Sequence, residues 1–135
     1  MNFAEIVLPG RYSEYKALYD FVALFAEARG YSSLFVEGLQ LSLKEAFVNA
    51  VKHGNRERDG LSVSCFLSAS ENSLLASVRD CGKGFDPDKL PDPADPRHMF
   101  KLSGRGVYII RTIAEIVALE HDKEGSTLRL RYIPY

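Results

Sequence analysis

Scarcity narrows this chain first. It has only two cysteines, Cys65 and Cys81, and neither shows CxxC spacing or a histidine companion, so no zinc site or redox pair is indicated. Both read as small packing residues in a reducing compartment. No apolar run approaches the ~20 residues that span a bilayer. The N-terminus carries Glu5 and no basic region ahead of a long apolar stretch, which is not the form of a signal peptide. A cytoplasmic protein with no membrane attachment is expected. A formal net charge of -1 supplies no broad basic field, which argues against a nucleic-acid partner. Charge is local instead: Lys52, His53, Arg56 and Arg58 cluster together, and Asp80, Asp86, Asp88, Asp92 and Asp95 follow later. Either group also fits a solvated loop.

With 46% hydrophobic and 26% charged residues, a 135-residue chain has the ordinary composition of one globular domain, spanning 1–135 and large enough for a real core. Residues 3–8 alternate and stop at Pro9-Gly10, a strand and a turn. Ser13 is placed to cap a helix running to Arg29-Gly30, and Ser32 or Ser33 a second one ending near Gly54. Alternation over 61–69 and 73–79, with Glu71-Asn72 between, predicts a hairpin. A helix over 104–117 and a last strand pair over 117–120 and 126–133 complete the order. The expected class is α+β: an α/β sandwich with helices on one face of a mixed, mostly antiparallel sheet.

The stretch Leu41-Ser-Leu-Lys-Glu-Ala-Phe-Val-Asn-Ala-Val-Lys-His-Gly-Asn55 carries the chemistry. Glu45, Asn49 and His53 recur every four residues and share one helix face, while Leu39, Leu43, Ala46, Phe47, Ala50 and Val51 complete a buried stripe without them. A solvated face would look similar. Asn49, however, is a poor helix former in mid-helix, and Gly54 stops the helix directly after the stripe. A carboxylate and an amide so placed could serve a proton and a metal ion.

Two further constellations follow. In Val78-Arg-Asp-Cys-Gly-Lys-Gly-Phe-Asp86, Asp80 leaves a strand and the glycines at 82 and 84 permit close approach by a flat ligand. The carboxylate could accept a hydrogen bond from an exocyclic amine; a plain chain reversal fits equally well. Ser103-Gly-Arg-Gly-Val-Tyr-Ile-Ile-Arg111 is a glycine-rich turn opening an apolar helix, where free N–H groups, the helix dipole and Arg105 suit a phosphate. Ordinary helix packing would also explain it. Between them, residues 86–102 hold four of the six prolines, the composition of a lid or of a surface insertion.

An ExxxN helix, a DxGxG turn, a long loop and a GxG turn opening a helix, in that order, resemble the GHKL ATPase superfamily with its Bergerat-type ATP-binding fold. "KEAFVNAVKHGN", "RDCGKGFDP" and "SGRGVYIIRTIAE" are most similar to the anti-sigma-factor serine/threonine kinases of bacteria. The resemblance covers nearly the whole chain. It implies that Glu45 is the general base, that Asn49 holds Mg2+, and that Asp80 reads the adenine of ATP with support from Thr127, directly or through water. Gly82 and Gly84 would shape the base pocket, and Ser103, Gly104, Arg105 and Gly106 would meet the phosphates under a lid of about 86–103. Lys52 and His53, one turn beyond Asn49, could reach a phosphate as well.

The partners implied are an anti-sigma-factor antagonist of the STAS type, a sigma factor, and a second copy in a homodimer. Cys81 departs from the polar or acidic residue often found there. No histidine heads a dimerisation helix and no sensor, receiver or transducer segment is expected, so histidine-kinase activity is not implied. Two alternatives stay open: a non-catalytic, nucleotide-gated binding module, and a partner-switching kinase that controls a non-transcriptional process.

Overall fold

The computed structural model describes residues 2–81 and 105–135. Five strands form one sheet: β1 (Phe3–Pro9), β2 (Ser62–Ala69), β3 (Leu74–Asp80), β4 (Glu115–Asp122) and β5 (Gly125–Tyr132). Their order is β1-β2-β3-β5-β4, and every pairing is antiparallel. Among the described residues three α-helices accompany it: α1 (Tyr15–Glu27), α2 (Ser33–Asn49) and α3 (Arg105–Ile113). The α+β sandwich expected from the sequence is the fold observed.

Alternation decides which sheet face is covered. Val63, Cys65 and Leu67 of β2, Leu74, Ala76 and Val78 of β3, and Leu130 and Tyr132 of β5 are buried against the helices. Opposite them lie Leu18, Val22 and Phe25 of α1, Phe35, Leu39, Leu43 and Phe47 of α2, and Ile110 of α3. The Ser32 hydroxyl accepts from the Phe35 N–H at 3.2 Å and so caps α2. Ser42, fully buried on α2, lies 2.7 Å from the Tyr132 hydroxyl and donates to the Leu39 carbonyl, fixing the helix to β5.

Three boundaries differ from expectation. A 3-10 turn, Tyr12–Glu14, precedes α1, and no side chain caps the helix, so Ser13 is not its cap. The helix expected over 104–117 stops at Ile113, and Glu115 already pairs with Arg131 in β4. Isoleucines and Val117 satisfy both periodicities, and a bulge between Ile116 and Ala118 absorbs the odd residue. Finally, α2 does not run on to Gly54 as one α-helix. After Asn49 it widens into a π turn, Ala50–Gly54, closed by the Asn55 N–H on the Ala50 carbonyl at 2.8 Å.

Candidate functional site

The π turn delivers the polar helix to the end of β3. Glu45 and Asn49 are half-buried on the last two turns of α2, and His53, also half-buried, follows on the π turn. Glu45 lies near α1, where its charge, after burial and Tyr15, raises the pKa of the Tyr19 hydroxyl. Gln40 donates to the Tyr19 carbonyl at 3.1 Å, tying the two helices together beside that carboxylate. Lys52 is exposed.

Asp80 is the buried centre. Only 5% of it is exposed, and its Oδ1 accepts from the Ser126 N–H at 3.0 Å. Two glycines hold it from either side. A Cβ added to Gly54 would fall far inside 3.0 Å of the Asp80 carboxylate and 2.7 Å from its Cβ; one added to Gly125 would overlap the Asp80 carbonyl oxygen. Both positions must therefore lack a side chain for the carboxylate to sit where it does. The helix carrying Glu45 and Asn49 thus ends in contact with the acidic residue that terminates β3.

Asn55 locks this junction. It is fully buried; its Nδ2 donates to the Ser62 carbonyl at 2.9 Å and its Oδ1 accepts from the Cys81 N–H at 3.0 Å. The chain then reverses through two consecutive left-handed residues, Arg56 and Glu57 (φ 54° and 59°), each costing about 1 to 2 kcal/mol. The reversal is offset by the Glu57 N–H on the Val51 carbonyl at 2.9 Å and by the Tyr12 hydroxyl donating to the Glu57 carboxylate.

The far side of the site rests on the β4–β5 turn. Asp122 accepts from the N–H groups of Glu124 and Gly125 at 2.8 and 3.0 Å and takes the Arg79 guanidinium at 2.9 Å. Arg79 holds the Asp122 carboxyl below its usual range, with the Glu124 N–H next. Thr127 is brought to the same arginine: its hydroxyl accepts from Arg79 at 2.9 Å, and it pairs in register with Arg79, one residue before Asp80. Strand alternation puts Ser126 with Leu128, Leu130 and Tyr132 on the covered face, and the Ser126 N–H is what reaches the Asp80 carboxylate. The Ser126 hydroxyl is also 2.7 Å from His121 Nδ1.

Ser126, Asn55 and His121 were not among the residues the sequence singled out. The period of two in β5, which sets Ser126 on the covered face, was the signal that could have found it. Nothing local marked Asn55, whose partners are seven and twenty-six residues away. Of the remaining expected residues, Arg105 and Gly106 stand at the first two positions of α3. Gly82, Gly84, Ser103, Gly104 and the lid over 86–103 lie outside the described residues.

A model of the histidine kinase-like ATPase domain family matches residues 8–132, and the chain belongs to that family. Its curated relatives include proteins named serine-protein kinase RsbW. That of Listeria monocytogenes serotype 4a is 27% identical over 114 residues, 80% of this chain and 73% of the relative. That of Bacillus cereus (strain AH820) is 27% identical over 136 residues, 96% of this chain and 84% of the relative. Among solved structures, the RsbU and RsbW domains of Rv1364c from Mycobacterium tuberculosis share the fold, with a TM-score of 0.63 at 16% identity. The alignment covers 99% of this chain and 33% of that one.

Proposed function

We propose that this protein is an ATP-dependent serine/threonine protein kinase that phosphorylates a STAS-type anti-sigma-factor antagonist and, by binding a sigma factor, acts as an anti-sigma factor. The observation that carries the reading is the contact between Gly54 and Asp80: the helix that bears Glu45 and Asn49 ends against a buried carboxylate suited to accept from a base. The likeness to proteins named serine-protein kinase supports it.

Each residue then has a chemical role. Asp80, held by Ser126, accepts the exocyclic amine of adenine; the hydroxyl of Thr127, expected to support it, is engaged by Arg79, and the Ser126 oxygen takes the supporting place beside Asp80. Gly82 and Gly84 let the base approach, and Ser103, Gly104, Arg105 and Gly106 offer N–H groups and a guanidinium to the phosphates beneath the 86–103 lid. His53 and Lys52 flank the same phosphates. Asn49 contributes one neutral oxygen to Mg2+. Among the described residues no cluster of three His, Cys, Asp or Glu side chains could hold a metal ion, so the ion would be held by Asn49 together with the nucleotide itself. Bound magnesium neutralises charge on the phosphates during transfer. Glu45 takes the proton from the attacking serine or threonine hydroxyl as its oxygen bonds to the γ-phosphorus and the bond to ADP breaks.

The protein works in the cytoplasm as a homodimer. No helix among the described residues is long and apolar enough to cross a membrane. The test is transfer of label from γ-labelled ATP and Mg2+ to candidate STAS proteins by wild type, Glu45→Ala and Asn49→Ala. Label should appear on a partner serine or threonine and be lost in Glu45→Ala while nucleotide binding survives. Binding without transfer to any partner would instead make the protein a nucleotide-gated binding module.

A further inference from the structure

His121 lies on β4, an edge strand, directly across from Ser126 in the β4–β5 register, with its Nδ1 at 2.7 Å from the Ser126 hydroxyl. The same serine gives its N–H to Asp80. One residue thus couples an imidazole to the carboxylate at the centre of the site. Building on the adenine-nucleotide reading above, we propose that His121 is a positioning residue: it takes the Ser126 hydroxyl hydrogen at Nδ1 and so keeps the Ser126 oxygen an acceptor beside Asp80.

The chemistry is a matter of direction. A serine hydroxyl has one hydrogen and two lone pairs, and a neutral imidazole has one accepting nitrogen. While Nδ1 accepts, the Ser126 oxygen and Asp80 both present lone pairs, which suits the N–H groups of an exocyclic amine and opposes the carbonyl that guanine carries in its place. Protonation makes both ring nitrogens donors. Nδ1 then claims a lone pair of Ser126, and the hydroxyl hydrogen must turn elsewhere.

The surroundings favour the neutral ring at physiological pH. Burial is the largest influence and pulls the imidazole below its ordinary value, against the charges of Asp80 on β3 and Asp122 on its own strand. Arg79 of β3 is engaged by Asp122, and Arg129 of β5 by Glu120 at 2.8 Å on the outer face. Because the folded pKa is depressed, the neutral form persists through pH 7, and the acceptor is lost only as pH falls below the ordinary histidine range.

The experiment is calorimetric titration of ADP, and of GDP for comparison, into wild type, His121→Asn and His121→Phe between pH 7.5 and 4.5. The amide oxygen introduced by His121→Asn accepts from Ser126 at every pH, and the nucleotide phosphates titrate equally against all three proteins. Wild type should lose about fivefold more ADP affinity on acidification than His121→Asn, the worth of one hydrogen bond. His121→Phe should bind ADP about fivefold more weakly than wild type at pH 7.5, with a smaller preference over GDP. Parallel pH curves for wild type and His121→Asn would overturn the proposal, even if His121→Phe failed to fold. So would ADP affinity in a folded His121→Phe equal to that of wild type. Failure of wild type to bind ADP at any pH would overturn the nucleotide reading itself, and this proposal with it.

Discussion

Substituting alanine for Gly54 places a methyl group where the Asp80 carboxylate already sits. Gly54 has no positive φ, and alanine in a helical turn ordinarily gains up to about 1 kcal/mol over glycine. Here the added Cβ would lie 2.7 Å from the Asp80 Cβ and closer still to the carboxylate, which cannot simply step aside: Oδ1 is held by Ser126 N–H at 3.0 Å and Gly125 closes the other side. Either the carboxylate leaves its site or the helix end backs away. Loss of a hydrogen bond to a charged group costs about 1.5 to 3 kcal/mol. After the helical gain is subtracted, Gly54→Ala should be about 0.5 to 2 kcal/mol less stable than wild type by urea unfolding followed by circular dichroism. ADP affinity should fall about 10- to 100-fold, since the amine acceptor is displaced. Gly38→Ala is the control, because its Cβ meets only Ile113, nearest at Cγ2 at 3.4 Å, and should be neutral or slightly stabilising. If Gly54→Ala matched Gly38→Ala in stability and kept wild-type affinity, the tight seating of Asp80 against the end of the helix would be wrong.

Two other outcomes are expected. Asn55→Ala strands the Ser62 carbonyl and the Cys81 N–H in a buried junction, so stability should drop by about 2 to 4 kcal/mol and the melting temperature by about 10 °C; a change under about 2 °C would contradict the bridging role. Native protein at pH 8 should expose one thiol to a disulfide reagent, Cys81, and release the second only in urea: Cys65 is buried in β2, and burial pushes its thiol up to about 12. Saturating ADP should slow Cys81, the neighbour of Asp80, and equal native rates for both thiols would refute the assignment.

What the sequence made legible was whatever local periodicity controls. The 3.6-residue stripe placed Glu45 and Asn49 on one face of α2, and the alternation of β2 and β3 placed Asp80 at a strand end, because those patterns report burial directly. The π turn was not legible: Ala50-Val51-Lys52-His53-Gly54 suits an α-helix, and what widens it is the seating of Asn55 against strands far away in the chain. The sequence pointed to the hydroxyl of Thr127; its neighbour Ser126 is the one whose N–H reaches Asp80, and the β5 pleat separates the two. Ile116 and Val117 were drawn into a helix for the opposite reason, since their apolar spacing fits both periods until β5 offers a pairing edge.

The central claim, an adenine nucleotide held on Asp80, is tested most directly by calorimetric titration of Mg2+ and ADP into wild type and Asp80→Asn, with GDP as competitor. Wild type should bind ADP saturably and one-to-one, with a clear preference over GDP. Asp80→Asn should lose about tenfold or more, because its amide keeps the shape but replaces a charged acceptor. Equal affinity for ADP and GDP, or an Asp80→Asn variant that binds ADP as wild type does, would contradict it.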